Sequence, residues 1–176
     1  MARTFFAPAA PDAIFERKPG IAVDRIIIHT TEGTFNGTIA WFQQGSPPRA
    51  VATASHYVVA RDGAICQMVG DDKKCYHAGG YNSCSIGIEH EARTTMWEIR
   101  KDSYGRIRPV PFPINDFTLP LLQSSVLVTV AMCKKFGIPA DRAHIIGHNE
   151  VPGATHTDPG ILWPWELYMK LVRQGM

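Results

Sequence analysis

The sequence predicts a single α/β domain in which a mixed central β-sheet is flanked by helices. Strand-like apolar runs alternate along the chain with segments of helical periodicity, which is typical of an α/β fold. An Asp-Gly pair between two β-branched runs adds one antiparallel hairpin to that order. The length of 176 residues suits one domain with a full core, and 45% hydrophobic residues exclude a disordered chain.

The first half of the chain begins with an irregular segment. Residues 1–20 contain three prolines and little periodicity, so we expect an N-terminal arm that lies over a domain formed by residues 21–176. The run "RIIIHTTEG" predicts a strand that ends at His29. The run "NGTIAWFQQG" predicts a short helix with Asn36 as a possible cap, and Trp41 is expected in the core rather than in a groove.

The middle of the chain has the clearest strand signals. "SHYVVARDGAICQMVG" predicts two strands joined at Asp62-Gly63, and "SIGIEHEA" predicts a further strand with Ile86 and Ile88 on one face. Residues 93–117 carry three prolines with charges between them, so we expect a long surface excursion.

Helices dominate the last third. "FTLPLLQSSVLVTVAMCKKFGIP" has apolar positions three and four apart and predicts a helix that stops at Gly137. "AHIIGH" predicts a short strand that ends at His148, and "WPWELYMKLVRQ" predicts an amphipathic helix with Pro164 near its first turn.

Composition and charge exclude several classes of protein. The formal charge is only +2 and no run of five or six Lys or Arg occurs, so we expect no nucleic-acid partner. No continuous apolar run approaches the roughly 18 residues of a membrane span, and the N-terminus lacks the features of a signal peptide. We therefore expect a soluble chain without membrane insertion, made in the cytoplasm. The four cysteines form no CxxC pair and are expected as buried thiols, although a bridge between Cys75 and Cys84 stays open.

Two histidines occupy matching places at the ends of predicted strands. His29 and His148 each follow an apolar run, and side chains at the ends of adjacent strands converge on one rim of a sheet. Asp158 follows in a Pro-Gly turn that can return to the same point. Two imidazoles and one carboxylate, with a fourth position for water, form a catalytic zinc (Zn²⁺) site suited to amide hydrolysis. A single strand-end histidine is more often a surface hydrogen-bonding residue, the reading we give His56, His90 and His144. 

Several motifs occur in order between Arg25 and Trp165: "IIIHTTEG", "SHYVVARDGAICQMV", "YHAG", "NSCSIGIEHE" and "IIGHNEVPGATHTDPG". Together they resemble the zinc-dependent N-acetylmuramoyl-L-alanine amidases of the type 2 family, which also contains phage endolysin-like enzymes and peptidoglycan recognition proteins. The resemblance implies a mixed sheet flanked by helices, with the zinc site at the rim of the sheet. It also implies cleavage of the amide bond between N-acetylmuramic acid and L-alanine.

The resemblance assigns roles to particular residues. It places the metal ligands at His29, His148 and Asp158, and it implies that Glu89 activates the water that attacks the amide. Glu91 has the same strand parity as Glu89 and is the alternative base.

Other positions depart from the family pattern or allow two readings. His156 stands where many members have a lysine that stabilises the developing oxyanion, and either form of imidazole can donate a hydrogen bond there. The rate should then depend on pH in the range where histidine titrates. Ser55 replaces a tyrosine that assists catalysis in another branch. His77 and Asn82 match positions implied to contact substrate, although both suit a loop-closing role equally.

The expected partner is bacterial peptidoglycan or its soluble muropeptides, and the expected state is a monomer. The alternative function is a non-catalytic peptidoglycan-binding module, but relatives of that kind lose a metal ligand and this chain keeps all three. A phage lysin that acts on the wall after release, a recycling enzyme and an injected effector all stay open.

Overall fold

The computed structural model describes residues 3–48 and 50–176. The strands are β1 (Thr4–Phe6), β2 (Ile14–Glu16), β3 (Arg25–Thr30), β4 (Tyr57–Val59), β5 (Ile65–Gln67), β6 (Lys73–Cys75), β7 (Ser85–His90), β8 (Thr95–Lys101), β9 (Ile107–Pro113) and β10 (Ile145–Gly147). The helices are α1 (Phe35–Phe42), α2 (Leu119–Phe136) and α3 (Trp165–Gly175).

Six strands form the central sheet in the order β1-β5-β4-β7-β3-β10. The pairing of β4 with β5 is antiparallel and the other four pairings are parallel, so the predicted mixed sheet is confirmed. One face of the sheet packs against α2 and α3, and the other against α1 and the N-terminal segment. Because both faces are covered, the central strands are apolar almost throughout.

Helix α2 is the longest element and lies on the core. The Thr118 hydroxyl accepts a hydrogen bond from the amide of Leu121 at the first turn, and Gly137 ends the helix with a φ of 69°. By length and composition alone α2 could cross a membrane, because its apolar content is high even though polar residues interrupt it. Half of it is buried within the fold, and core helices of soluble proteins pass the same test.

The segment 93–117 is not an irregular excursion: β8 and β9 pair as an antiparallel hairpin. Pro109, Pro111 and Pro113 lie at every second position of β9, so their side chains share one face and their backbone nitrogens point to the same side of the strand. Their missing N–H groups all point to the free edge of the ribbon, and the ladder to β8 loses nothing. The sequence-based expectation of a surface excursion rested on the number of prolines and charges and not on the alternate spacing of the prolines.

The N-terminal segment adds strands to the domain. β1 pairs in parallel with β5 at the edge of the main sheet, and β2 pairs with β6. The boundary between arm and domain at residue 20 stays a prediction. The cap of α1 is Thr34 rather than Asn36, since the Thr34 hydroxyl accepts from the amide of Gly37. All four cysteines are free thiols, so Cys75 and Cys84 form no bridge.

Candidate metal and catalytic site

The parallel pairing of β3 with β10 brings two histidines together at the sheet rim. Ile28 lies opposite Gly147 in the register, so His29 and His148 follow at the same level. Their ring centroids are 4.6 Å apart. Asp158 Oδ1 lies 3.0 Å from His148 Nδ1, and its Oδ2 lies 3.1 Å from His29 Nδ1. The structure therefore brings the three predicted metal ligands into one group.

Local backbone contacts return Asp158 to the rim. The amide of Asn149 donates to the Asp158 carbonyl at 2.9 Å. The ring of Pro159 packs over Gly147, where an added Cβ would lie only 2.6 Å from Pro159 Cδ. A glycine between strand and histidine is thus what allows the acidic turn to approach so closely.

A chain of hydrogen bonds fixes which nitrogen of His29 carries its proton. The Ser85 hydroxyl donates to the Tyr81 carbonyl at 2.6 Å, so it accepts from His77 Nε2 at 3.1 Å. The other nitrogen of His77, Nδ1, must then accept from His29 Nε2 at 3.1 Å. His29 Nδ1 is left with a lone pair that faces the carboxylate of Asp158.

This arrangement fits a metal ion. The lone pair of His29 Nδ1 and an Asp158 oxygen face each other at 3.1 Å with no proton between them, an unfavourable contact that a cation relieves. Atoms bound to a tetrahedral zinc at about 2.0–2.1 Å lie roughly 3.3 Å apart, close to the observed separations. The ligand atoms of His29, His148 and Asp158 all lie within 4.8 Å of one another. His77 occupies the place of the outer hydrogen-bond partner that metal-bound imidazoles usually have.

The protonation of the ligands agrees with metal binding. Burial lowers the pKa of His29, which keeps the ring neutral and able to bind a metal. A neutral His29 ring beside a carboxylate is the form that a metal ion binds.

Glu89 lies beside this group on the neighbouring strand. It is the register partner of His29 in the pairing of β3 with β7, and it lines the same groove. Its Oε2 atom is buried and has no hydrogen-bond partner among the described residues. Burial raises the pKa of Glu89 to about 8, and the charge of Asp158 adds to the rise. An unpaired buried carboxyl at a groove floor is the kind of group that catalysis uses.

Glu91 has a different role from the one its parity suggested. Its carboxylate accepts from the amide of Phe35 at 2.8 Å and from the amide of Arg61 at 2.9 Å. It thereby joins the start of α1 to the turn of the β4–β5 hairpin. Glu91 is absent from the groove lining, so the structure leaves Glu89 as the base candidate.

The remaining predicted residues also lie at the groove. His156 is exposed and stacks on His148, with ring centroids 4.8 Å apart and an interplanar angle of 16°. The amide oxygen of Asn82 accepts from the amides of His77 and Ala78, so this residue closes its loop and also lines the groove. The roles of His156, His77 and Asn82 toward substrate stay predictions.

Three further side chains lie elsewhere than the sequence predicted. His56 and His90 are fully buried rather than at the surface, and their ring nitrogens contact backbone groups of Gly87 and His29. Trp41 is 51% exposed and lines the groove instead of the core.

Sequence reasoning also missed Trp97, on β8, which lines the groove. A lone tryptophan in a polar, proline-rich segment was the available signal.

Comparison with known proteins agrees with the fold. The profile of the N-acetylmuramoyl-L-alanine amidase family matches residues 19–161. N-acetylmuramoyl-L-alanine amidase A of Achromobacter lyticus is 27% identical over 85% of this chain and 83% of its own length. The 1,6-anhydro-N-acetylmuramyl-L-alanine amidase AmpD of Citrobacter freundii is 29% identical over 68% of this chain and 57% of its own length. A crystal structure of selenomethionine AmpD superimposes with a TM-score of 0.72 and 23% identity, covering 97% of this chain and 94% of that one.

The family profile and the amidase relatives identify a hydrolase of peptidoglycan amide bonds. Because the profile covers most of the chain, the protein belongs to the N-acetylmuramoyl-L-alanine amidase family.

Proposed function

We propose that this protein is a zinc-dependent amidase in which His29, His148 and Asp158 hold the ion and Glu89 moves the proton. The observation that carries the proposal is the convergence of His29 Nδ1, His148 Nδ1 and the Asp158 carboxylate at 3.0–3.1 Å, next to Glu89, whose buried Oε2 has no hydrogen-bond partner among the described residues. Zinc, when bound at such a site, polarises a carbonyl and makes water a nucleophile at neutral pH.

Glu89 carries out the proton transfers of the proposed reaction. Glu89 takes a proton from the attacking water as the C–O bond forms, and it returns that proton to the amine as the C–N bond breaks. The products are a lactyl carboxylate and a peptide with a free amino-terminal L-alanine. The raised pKa of Glu89 would fall toward neutral pH if a cation were held at this site, because its charge would offset that of Asp158.

His156 and Asn82 complete the proposal at the rim of the groove. The ring of His156 stacks on His148 and is exposed, so an N–H of the imidazole can donate to the oxygen that gains charge. Asn82 holds the loop of His77 in place with its amide oxygen.

The test uses purified peptidoglycan, with mass spectrometry of the released peptides. Free amino-terminal L-alanine should appear with the zinc-loaded protein and disappear after chelation. Glu89→Gln should lower the rate by about 10²–10⁴ while the zinc content stays at the level of the unaltered protein, because Glu89 is a base and not a ligand. Glu166→Gln, an exposed position on α3, is the matched control and should keep full activity.

Two results would contradict the proposal. Full activity in Glu89→Gln would remove the assigned base. Absence of peptide release by the zinc-loaded protein, with binding to peptidoglycan retained, would favour the recognition module instead.

A further inference from the structure

The β8–β9 hairpin presents one exposed apolar face. Cross-strand partners point to the same side of a ribbon, so the register places one set of residues together. This set, which we call the apolar hairpin face, comprises Trp97, Ile99, Ile107, Pro109 and Pro111. Trp97 is 63% exposed, Ile99 is 70% exposed and Ile107 is 72% exposed. Clustered exposure of this kind usually marks an interaction surface.

The opposite face differs, since Val110 and Phe112 are half-buried there. The base of the hairpin is held in place: the amide of Ile114 donates to the Thr94 carbonyl at 3.0 Å, and the amide of Thr94 donates to Glu32 Oε1 at 3.0 Å. Thr94 also packs against Gly160, where an added Cβ would lie 2.7 Å from Thr94 Cβ. The apolar hairpin face is therefore fixed relative to the Asp158 turn.

The apolar hairpin face continues the catalytic groove. Thr95 and Trp97 line the groove together with Glu89, and Trp41 of α1 lines it as well. Pro111 is the cross-strand partner of Trp97, and Ile99 is the next residue on the same face. A ligand that fills the groove and extends past Trp97 therefore lies along Ile99 and Pro111. The seven residues of β8 extend roughly 20 Å, so the face is longer than a single sugar ring.

We propose that the apolar hairpin face binds the glycan strand of polymeric peptidoglycan next to the muramic acid whose amide is cleaved. This inference rests on the proposed function, which places peptidoglycan in the groove. Tryptophan and proline rings offer flat apolar surfaces for the C–H faces of sugar rings. The stem peptide, the other continuation from the scissile amide, offers short and charged groups that gain little from such a surface.

Charge is not the main attraction at this surface. The hairpin carries four basic and two acidic side chains. Arg100 pairs with Glu98, and Asp102 lies 2.9 Å from Arg106 and 3.3 Å from Arg108. The surplus of two positive charges is small, and the register places Arg100 and Arg108 on the opposite face of the ribbon. Binding by the apolar hairpin face should therefore weaken little at high salt.

The experiment compares two forms of one substrate. Intact sacculi are one form, and the same material digested by a muramidase to single disaccharide-peptides is the other. The double variant Ile99→Ser/Ile107→Ser should lose about tenfold in kcat/KM on sacculi, which corresponds to 1.4 kcal/mol, and keep its rate on the digested material. Leu127→Ser, an exposed apolar position on α2, is the matched control and should leave both rates unchanged.

Binding is measured separately from cleavage by co-sedimentation of the chelated protein with sacculi at low and high salt. Unaltered protein should sediment with sacculi at both salt concentrations. The affinity of the double variant for sacculi should be about tenfold lower. Unchanged sedimentation and an unchanged ratio of the two rates would overturn the inference. The same sedimentation is repeated with anionic phospholipid vesicles. The inference would also be overturned if the double variant lost binding to the vesicles but still bound sacculi. If unaltered protein cleaves neither substrate, the proposed function fails, whereas sedimentation still decides the role of the face.

Discussion

Two groups of metal-capable side chains lie in contact, with His29 Nε2 of one 3.1 Å from His77 Nδ1 of the other, and only one of the groups suits a metal. The rim group consists of His29, His148 and Asp158, and the buried group consists of His56, Cys75 and His77. In each group the ligand atoms lie within 4.8 Å of one another. Residue types and distances alone therefore do not distinguish them.

The difference lies in which lone pairs are free. In the buried group, His56 Nδ1 accepts from the amide of Gly87 at 3.1 Å, and its Nε2 donates to the Lys73 carbonyl at 3.1 Å. Both ring nitrogens of His77 are engaged as well. Burial raises the pKa of the Cys75 thiol, which opposes formation of the thiolate that metals bind. In the rim group, the lone pair of His29 Nδ1 faces the Asp158 carboxylate at 3.1 Å, so this group gains from a cation.

The largest expected effect is on metal content. Purified protein should contain one zinc per chain, and Asp158→Ala should lose the ion together with amidase activity, a loss of about 10³-fold or more. Cys75→Ala should keep one zinc per chain, because its sulfur is not a ligand. Elemental analysis and the rate on peptidoglycan check both variants. If the unaltered protein held a second equivalent of zinc that was lost in Cys75→Ala, the buried group would also be a metal site and the distinction between the two groups would be wrong.

A smaller effect is expected on stability as pH falls. Burial lowers the pKa of His56 to about 4, and the Arg17 guanidinium adds to the shift, whereas Asp71 opposes it. The unfolded chain then binds more protons than the folded one between the unperturbed value near 6.5 and about 4. The free energy of unfolding should therefore fall as pH drops through this window, by up to about 3 kcal/mol from His56 alone.

Urea unfolding of chelated protein at several pH values measures that contribution. His56→Gln should show a shallower fall in the free energy of unfolding than the unaltered chain. Cys75→Ala keeps the imidazole in the same group and should retain the steep fall. Equal slopes for His56→Gln and the unaltered chain would show that His56 contributes nothing to the pH dependence.

The rim site was predictable because its geometry follows from strand pairing. Apolar runs that end in His29 and His148 indicate two strand ends, and parallel neighbours bring such ends to one rim. The Pro-Gly turn around Asp158 is a local signal as well. Each of these features can be recognised from a short segment of the sequence.

The features that were missed depend on contacts between distant segments. The proline-rich hairpin required its register before the alternation of Pro109 and Pro111 made sense. β1 has only three residues, too few for a periodic signal, and joins the sheet through β5. The burial of His56 depends on strands that surround it from elsewhere in the chain.

The smallest expected effect concerns the hydrogen bonds behind the rim group. Ser85→Ala removes the acceptor of His77 Nε2, so His77 can change tautomer and no longer holds the proton of His29 at Nε2. Zinc affinity should fall by about 10- to 100-fold, as for other losses behind metal ligands. Ser55 is equally buried, but its Oγ has no hydrogen-bond partner in the described part of the chain, so Ser55→Ala should leave zinc affinity unchanged. Competition with a chelator of known affinity measures both variants. Equal affinities for Ser85→Ala and Ser55→Ala would mean that the Tyr81–Ser85–His77 chain does not set the tautomer of His29.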